Sequence, residues 1–549
     1  MRRLACALAC ALSCALAGCS ENAGQGTRPT GACAPPECAL APMMLAAEIT
    51  PSPADSSAFA PVELPVIALD PSGASFALEL PRAVMLSGKV TIGQGVGARL
   101  LAGAVVASRP SRISGRPDRI FQAQIDPTSG EYALSVTPDL PGESYTLRVA
   151  ASDASELPPQ TFTGIDASSD TRFDLVLDDP ATLLQLHGTV ADPIGQPVPG
   201  LKVQAIDPAS HALLSTTATT DGSGAYAIRL ARNLPSAITL VAAPGPEMSA
   251  PIGAPSLSMA VDVSKPGAGN SLTANLVEPP LPASIQLTYR VTGVGSSGAE
   301  LPIAGALCRF SADVSDSASA SGVTALFTTS ATTSPDGQVT VALVPSAQGT
   351  RNYELVVAPP ASSDFQRATF TLAVGQSSGV GAPVMLALRP EIVGRVLDSF
   401  GKPLAMASIQ TGTATVAPLA AASLADVVSL ASTTTGADGR FILSVDPGQY
   451  DLGIFPPAGS MLPLVWETGE EVQSNLDLGE LTVPRGALVF AKVSAPDGQA
   501  RPGAQVQLYS LSPAAHCPSS EPSCLPTPRQ AAAGTADGSG EAQLLLPAE

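Results

Sequence analysis

A valine recurs along this 549-residue chain at intervals that a copied domain explains. It closes the stretches Ser87-Gly88-Lys89-Val90, His187-Gly188-Thr189-Val190, Thr288-Tyr289-Arg290-Val291, Val393-Gly394-Arg395-Val396 and Phe490-Ala491-Lys492-Val493. The spacings of 100, 101, 105 and 97 residues are those of one small unit repeated head to tail. Around each valine lie short alternating apolar runs punctuated by Gly, Pro and Asp-Gly, the pattern of strands joined by tight turns. The expected fold is therefore all-β, with many small aliphatic cores; aromatics at 4% are too few for a large enzyme core.

Three further landmarks accompany the valine. A turn feeds an apolar strand, as at Pro199-Gly200-Leu201-Lys202-Val203 and Pro502-Gly503-Ala504-Gln505-Val506. An acidic turn follows, at Asp126 through Gly130, Asp221-Gly222, Asp336-Gly337, Asp438-Gly439 and Asp537-Gly538. Asp-Gly tolerates the positive φ of a two-residue hairpin, so hairpin chemistry is the expectation. A calcium loop would need several oxygen ligands together, and none of these turns supplies them. Last comes a Pro-led turn into another strand, as at Pro141-Gly142 and Pro447-Gly448.

Four units run to completion, at 76–179, 180–279, 280–389 and 390–485. The fifth, 486–549, stops at Leu546-Pro547-Ala548-Glu549, where its Pro-led turn should begin. It reads as two strands short, either because the chain is truncated, the favoured reading, or because another chain supplies the edge. Residues 19–75 are rich in Ala, Pro and Ser with little alternation, and read as a disordered tether reaching up to roughly 150 Å at ~3.1 Å per residue.

Gly-x-Val, then Gly-x-Pro, then Asp-Gly before Tyr or Phe is kept best in the second and fourth units. The set resembles the carboxypeptidase regulatory-like modules, Ig-like or transthyretin-like antiparallel β-sandwiches also related to the B-type repeats of Gram-positive adhesins. That resemblance covers roughly 76–549 and implies a tandem array of non-catalytic scaffold, spacer or binding units. Its motif is made of turn and core residues and names no ligand.

The N-terminus reads as an export signal over 1–18: Arg2 and Arg3, an apolar run from Leu4 to Leu16, then Leu16-Ala17-Gly18-Cys19. The run is too short to span a bilayer. Leu-Ala-Gly-Cys resembles the lipobox of bacterial lipoproteins, which implies lipidation of Cys19, membrane attachment through its acyl chains, and, with Ser20 following, sorting to the outer membrane. Loss of Arg2 and Arg3 takes the net charge from −19 to −21. That balance repels phosphate backbones, so nucleic acid is not an expected partner; an envelope protein or polysaccharide is.

In an oxidising envelope the close pairs Cys33 with Cys38 and Cys517 with Cys524 are candidate local disulfides. Cys308 reads as a small buried hydrophobe. No metal set or cofactor motif is recognised. Gly375-Gln376-Ser377-Ser378-Gly379 matches a hydrolase elbow in letters, but it leads into Gly379-Val380-Gly381-Ala382-Pro383, which cannot start a helix. Trp466, the sole tryptophan, is a candidate ligand contact as well as a gap filler. The expected function is a non-enzymatic cell-envelope lipoprotein whose sandwiches form a stalk or interaction surface. The alternative is an accessory array of a longer secreted enzyme.

Overall fold

The computed structural model describes residues 32–33, 44–67, 69, 75–93, 99–154, 157–245, 254–267, 269–315, 322–412, 431–512 and 527–548. Among them, one turn of 3-10 helix at Pro180–Thr182 interrupts an otherwise all-strand chain.

Module 2 shows the plan. Its first strand, Gln185–Ala191, alternates so that Leu186, Gly188 and Val190 face inward. It pairs antiparallel with Ala225–Arg229 and parallel with Ser271–Thr273 and Leu276–Val277. The facing sheet runs in the order Ala218–Thr219, Leu201–Ile206, Ala237–Pro244, Ser256–Asp262. Leu186, Val190, Leu201, Val203, Ile228 and Leu240 fill the space between the sheets. The parallel pairing departs from an all-antiparallel expectation. It arises because the last strand crosses from the opposite sheet and arrives in the direction of the first. Its close approach also explains the glycine of the motif: a Cβ on Gly188 would lie 1.7 Å from the Ala274 carbonyl oxygen.

The repeated valine and the acidic turn are two ends of one hydrogen bond. Val90, Val190, Val291, Val396 and Val493 are each fully buried, and their N–H groups donate to the carbonyls of Gly130, Gly224, Gly337, Gly439 and Gly540 at 2.7–2.8 Å. These five glycines adopt φ of 72–80°. The expected hairpin chemistry needs correcting in two modules, because Gly222 and Gly538 do not carry the positive φ; Gly224 and Gly540 do. The turn in modules 2 to 5 is four residues long, opening at Asp221, Ser334, Gly436 and Asp537, and the Asp-Gly dipeptide occupies different positions within it. Asp221 opens its turn and accepts from Ser223 N at 2.8 Å, Ser223 Oγ at 2.7 Å and Ala225 N at 3.0 Å. Asp537 does the same for Ser539 and Glu541. Asp336 and Asp438 stand inside the turn, directly before the positive-φ residues Gly337 and Gly439.

Module 5 overturns the incomplete unit and, over the described residues 32–33, 44–67 and 75, the tether. Leu45–Thr50 pairs antiparallel with Gln505–Ser512 and with Val62–Ile67, while Ser75–Glu79 lies parallel to Gly486–Ser494. These three segments take the places held in module 2 by Ala237–Pro244, Ser256–Asp262 and the parallel strand. The chain's own N-terminal region thus completes its last sandwich. Leu45, Ile49, Val62, Leu78 and Leu80 share a core with Val489, Val493, Val506, Leu508, Leu544 and Leu546. The sequence conceals this because Leu45–Thr50 is buried along nearly its whole length. Leu45, Ala47 and Ile49 face the module's core, whereas Ala46 packs with Ile113 of module 1. A strand covered on both faces shows no period-2 signal.

Modules 2 and 3 are not separate sheets either. Ser256–Asp262 pairs antiparallel with Val323–Thr332, joining their second sheets into one of eight strands. Their cores form one continuous apolar cluster.

Candidate functional site

Contacts between neighbouring modules close a cycle. Thr217 N donates to Ala154 O at 3.0 Å between modules 1 and 2, and the shared sheet joins 2 to 3. Asp446 of module 4 accepts from Arg367 N and from Arg389 Nε, at 3.0 and 3.2 Å, at the junction with module 3. Arg529 donates to Asp451 at 2.8 and 3.0 Å between 5 and 4. Module 5 then returns to module 1 through the most polar of these seams, and that seam is the candidate site.

The seam is built by the loop that follows module 1's strand Gly103–Arg109. Arg109, Arg112, Arg116 and Arg119 recur every three or four residues in a strongly acidic chain. Arg116 and Arg119 face Glu48 and Glu63 on the N-terminal strands, while the side chains of Arg109 and Arg112 turn to Glu143. Glu63 is 1% exposed; its carboxylate accepts from Ser111 Oγ and Arg112 N, both at 3.0 Å, with Arg119 Nε 3.7 Å away. Glu48, 7% exposed, accepts from Arg119 Nη1 at 2.6 Å, from Arg116 Nη1, and from the Tyr509 hydroxyl at 3.3 Å. Arg116 lies 4.6 Å over the Tyr509 ring. Behind this layer, Glu143 accepts from Arg109 at 3.2 Å and from Arg112 Nε at 2.9 Å. Thr137 Oγ1 donates to Pro61 O at 2.6 Å.

Burial works to raise the Glu48 pKa, but the Arg116 hydrogen bond and the charges of Arg119 and Arg116 outweigh it and hold the carboxyl below its ordinary range. Glu143 is held low chiefly by its hydrogen bond from Arg112. Burial pushes the Tyr509 hydroxyl up. Every carboxylate oxygen of Glu48 and Glu63 is taken by a donor within the seam. The arrangement fixes one module against another. A buried ion pair of this kind costs several kcal/mol to break by removing one partner, about 3–5 kcal/mol.

Sequence reasoning found no basic cluster here. The Arg spacing from 109 to 119 is a signal that could have revealed it, since like charges so close together need acidic partners from elsewhere. Of the residues it did single out, Cys19, Cys38, Cys517 and Cys524 lie outside the described residues, and of Cys33 only the backbone is described, paired in parallel with Ala487. Cys308 is buried and free, its thiol pushed up to about 12 by burial. Trp466 is half-buried at the seam between modules 4 and 5. Its indole N–H donates to Gln530 O at 2.8 Å, and its ring meets Phe455 edge-on at 6.0 Å. Ser377 falls between the strands Ala368–Val374 and Gly379–Val380, with no helix after it. No group of three or more His, Cys, Asp or Glu arranged to hold a metal occurs among the described residues. An open depression of about 640 Å³ beside Asp126, Tyr132 and Arg172 lies on module 1.

No protein-family model matches the chain, and no curated protein matches it. Among solved structures, a streptococcal ancillary pilin is similar at 12% identity and a TM-score of 0.21, over 56% of this chain and 99% of its own. The minor pilin GBS52 of Streptococcus agalactiae is similar at 12% identity and 0.20, over 36% and 99%. The shaft pilin SpaA of Lactobacillus rhamnosus GG is similar at 14% identity and 0.21, over 37% and 98%. The all-β sandwich fold itself rests on the strand pairings above.

Proposed function

We propose that the chain is a non-enzymatic cell-envelope lipoprotein, held at the outer membrane by acyl chains on Cys19, whose five sandwiches form a closed interaction scaffold for an envelope protein or polysaccharide. One observation carries the choice of scaffold over stalk: both ends of the array are used up in one module. An extended rod has a free far end, whereas this array returns to the module that holds its own N-terminal strands. The export signal and Leu16-Ala17-Gly18-Cys19 support the anchor. With strand pairing beginning at Ala32 against Gly486, the stretch between anchor and scaffold is 20–31, spanning at most roughly 40 Å at ~3.1 Å per residue. The scaffold stays near the surface that bears it, and weak contacts repeated over five modules would bind by avidity.

The test expresses the full chain and Cys19→Ala in a diderm bacterium and fractionates the envelope. The purified mature protein is then offered peptidoglycan, surface polysaccharide and envelope-protein extracts. The reading predicts membrane association that Cys19→Ala abolishes, together with saturable binding to one of the three. A chain that stays soluble with Cys19 intact, or that turns over a substrate, contradicts it.

A further inference from the structure

Module 5 has two halves held by different neighbours. Residues 45–79 are fastened to module 1 through Glu48, Glu63 and the arginines of 112–119. Residues 486–547 are fastened to module 4 through Arg529 on Asp451 and through the Trp466 indole on Gln530 O. The division runs between Leu45–Thr50 and Gln505–Ser512 in one sheet and between Ser75–Glu79 and Gly486–Ser494 in the other, and it cuts through the core between them. Each half therefore presents a strand edge and an apolar face shaped for the other. Two complementary ends on one chain make a heterologous contact, which can close on itself or continue to the next molecule.

We propose that a second copy of this chain can replace the first at this division, so that residues 45–80 of one copy complete 486–548 of another and the arrays join head to tail. The seam permits this. Glu48, Glu63 and their arginine partners all lie within residues 45–119, so that end travels as one body. Tyr509 is the residue of the far half that touches Glu48 and Arg116, and an incoming Tyr509 restores those contacts. The hydrogen bonds and core contacts are the same in the closed and the joined forms. The balance between them is therefore set by the effective concentration of a chain's own far end against that of other copies.

Thr50 and Gln505 face each other in register across the division. Chains bearing Thr50→Cys are mixed with chains bearing Gln505→Cys, unfolded, refolded at a series of concentrations and oxidised; linked peptides are mapped by mass spectrometry. Chains carrying both substitutions serve as the folding control and should link internally in dilute solution. The expected result is a dimer joined through positions 50 and 505, its fraction rising about tenfold for each tenfold rise in concentration while dimers are the minor species. If the control links internally but the mixture yields no such peptide at any concentration, the ends are not exchangeable and the proposal falls. A control that links at no concentration overturns it too, because the two ends then do not meet.

Discussion

Modules 2 and 5 have the same strands, the same buried valine and the same turn, yet one is written in consecutive residues and the other in two pieces at opposite ends of the chain. The difference shows that this sandwich is specified by landmarks and does not need an unbroken chain. It also separates two ways of joining modules. Module 2 meets module 3 through backbone pairing, with Leu257 and Ala325 buried opposite each other. Module 5 meets module 1 through buried ion pairs. Backbone pairing removes exposed sheet edges, whereas ion pairs depend on every partner being present and charged.

The comparison breaks most completely if the two pieces of module 5 are separated. Deleting residues 44–80 removes the burial of Leu45, Ile49, Val62, Leu78 and Leu80, each contributing about 1.5–3 kcal/mol. Hydrogen exchange should then show Gly486–Ser494 and Gln505–Ser512 unprotected, while Gln185–Ala191 in module 2 keeps its protection. Glu63→Ala strands the Ser111 hydroxyl and the Arg112 backbone N–H, at a cost of about 1–3 kcal/mol for each donor left unsatisfied. Exchange should rise across 45–67 and leave the pairing between modules 2 and 3 unchanged.

Acid and base should act on the two modules with opposite sign. Glu48 and Glu143 have carboxyls held below the ordinary range, so their contribution is present above the unfolded pKa and is lost as pH falls through the depressed folded values. In module 2, burial and then the charge of Asp192 push Glu278 up to about 7, and its Oε1 has no hydrogen-bond partner. A raised acid binds its proton more tightly in the folded state, so module 2 loses stability as pH rises from about 4.5 through 7. Exchange should show the seam of modules 5 and 1 loosening as pH falls below about 4.5 and module 2 loosening as pH rises from about 4.5 towards 7. Glu278→Gln should abolish the second effect.

Gly224→Ala and Gly540→Ala test the shared turn. A Cβ at either position would lie 2.3 or 2.6 Å from the carbonyl of the repeated valine, and the positive φ adds strain of about 1–3 kcal/mol. In thermal melts followed by exchange, Gly540→Ala should loosen module 5 alone, whereas Gly224→Ala should also lower protection in Val323–Thr332, which shares a sheet with module 2. The smallest effect is expected from Trp466→Phe, which forfeits one hydrogen bond to Gln530 O, about 1 kcal/mol. It should raise exchange at Thr527–Thr535 and leave module 2 untouched.

The sandwich modules were legible because their signals are local: Val190, Gly188 and the turn at Asp221 lie within one unit, and alternation marks each strand. The positive-φ position was half legible. A four-residue turn lets Asp-Gly slide, so Gly337 and Gly439 fit while Gly222 and Gly538 hand the role to the glycine two residues after them. The closure was not legible, since Leu45-Ala46-Ala47-Glu48-Ile49 buries both faces and has its partner strand more than 450 residues away. Such a distance costs little in equilibrium terms, because each doubling of loop length adds only about 0.6 kcal/mol. The seam was hidden for a related reason: Arg112 and Glu63 stand 49 residues apart in different modules, and no local pattern links them.

The most direct measurement is the distance between labels placed at positions 50 and 505 of a single dilute chain, read by pulsed electron resonance. Direct cross-strand neighbours have Cα atoms about 5 Å apart, so a narrow distribution at the shortest distances the labels allow is predicted. A broad distribution at long distances, with residue 50 trailing from module 1 as a tether, would contradict the account.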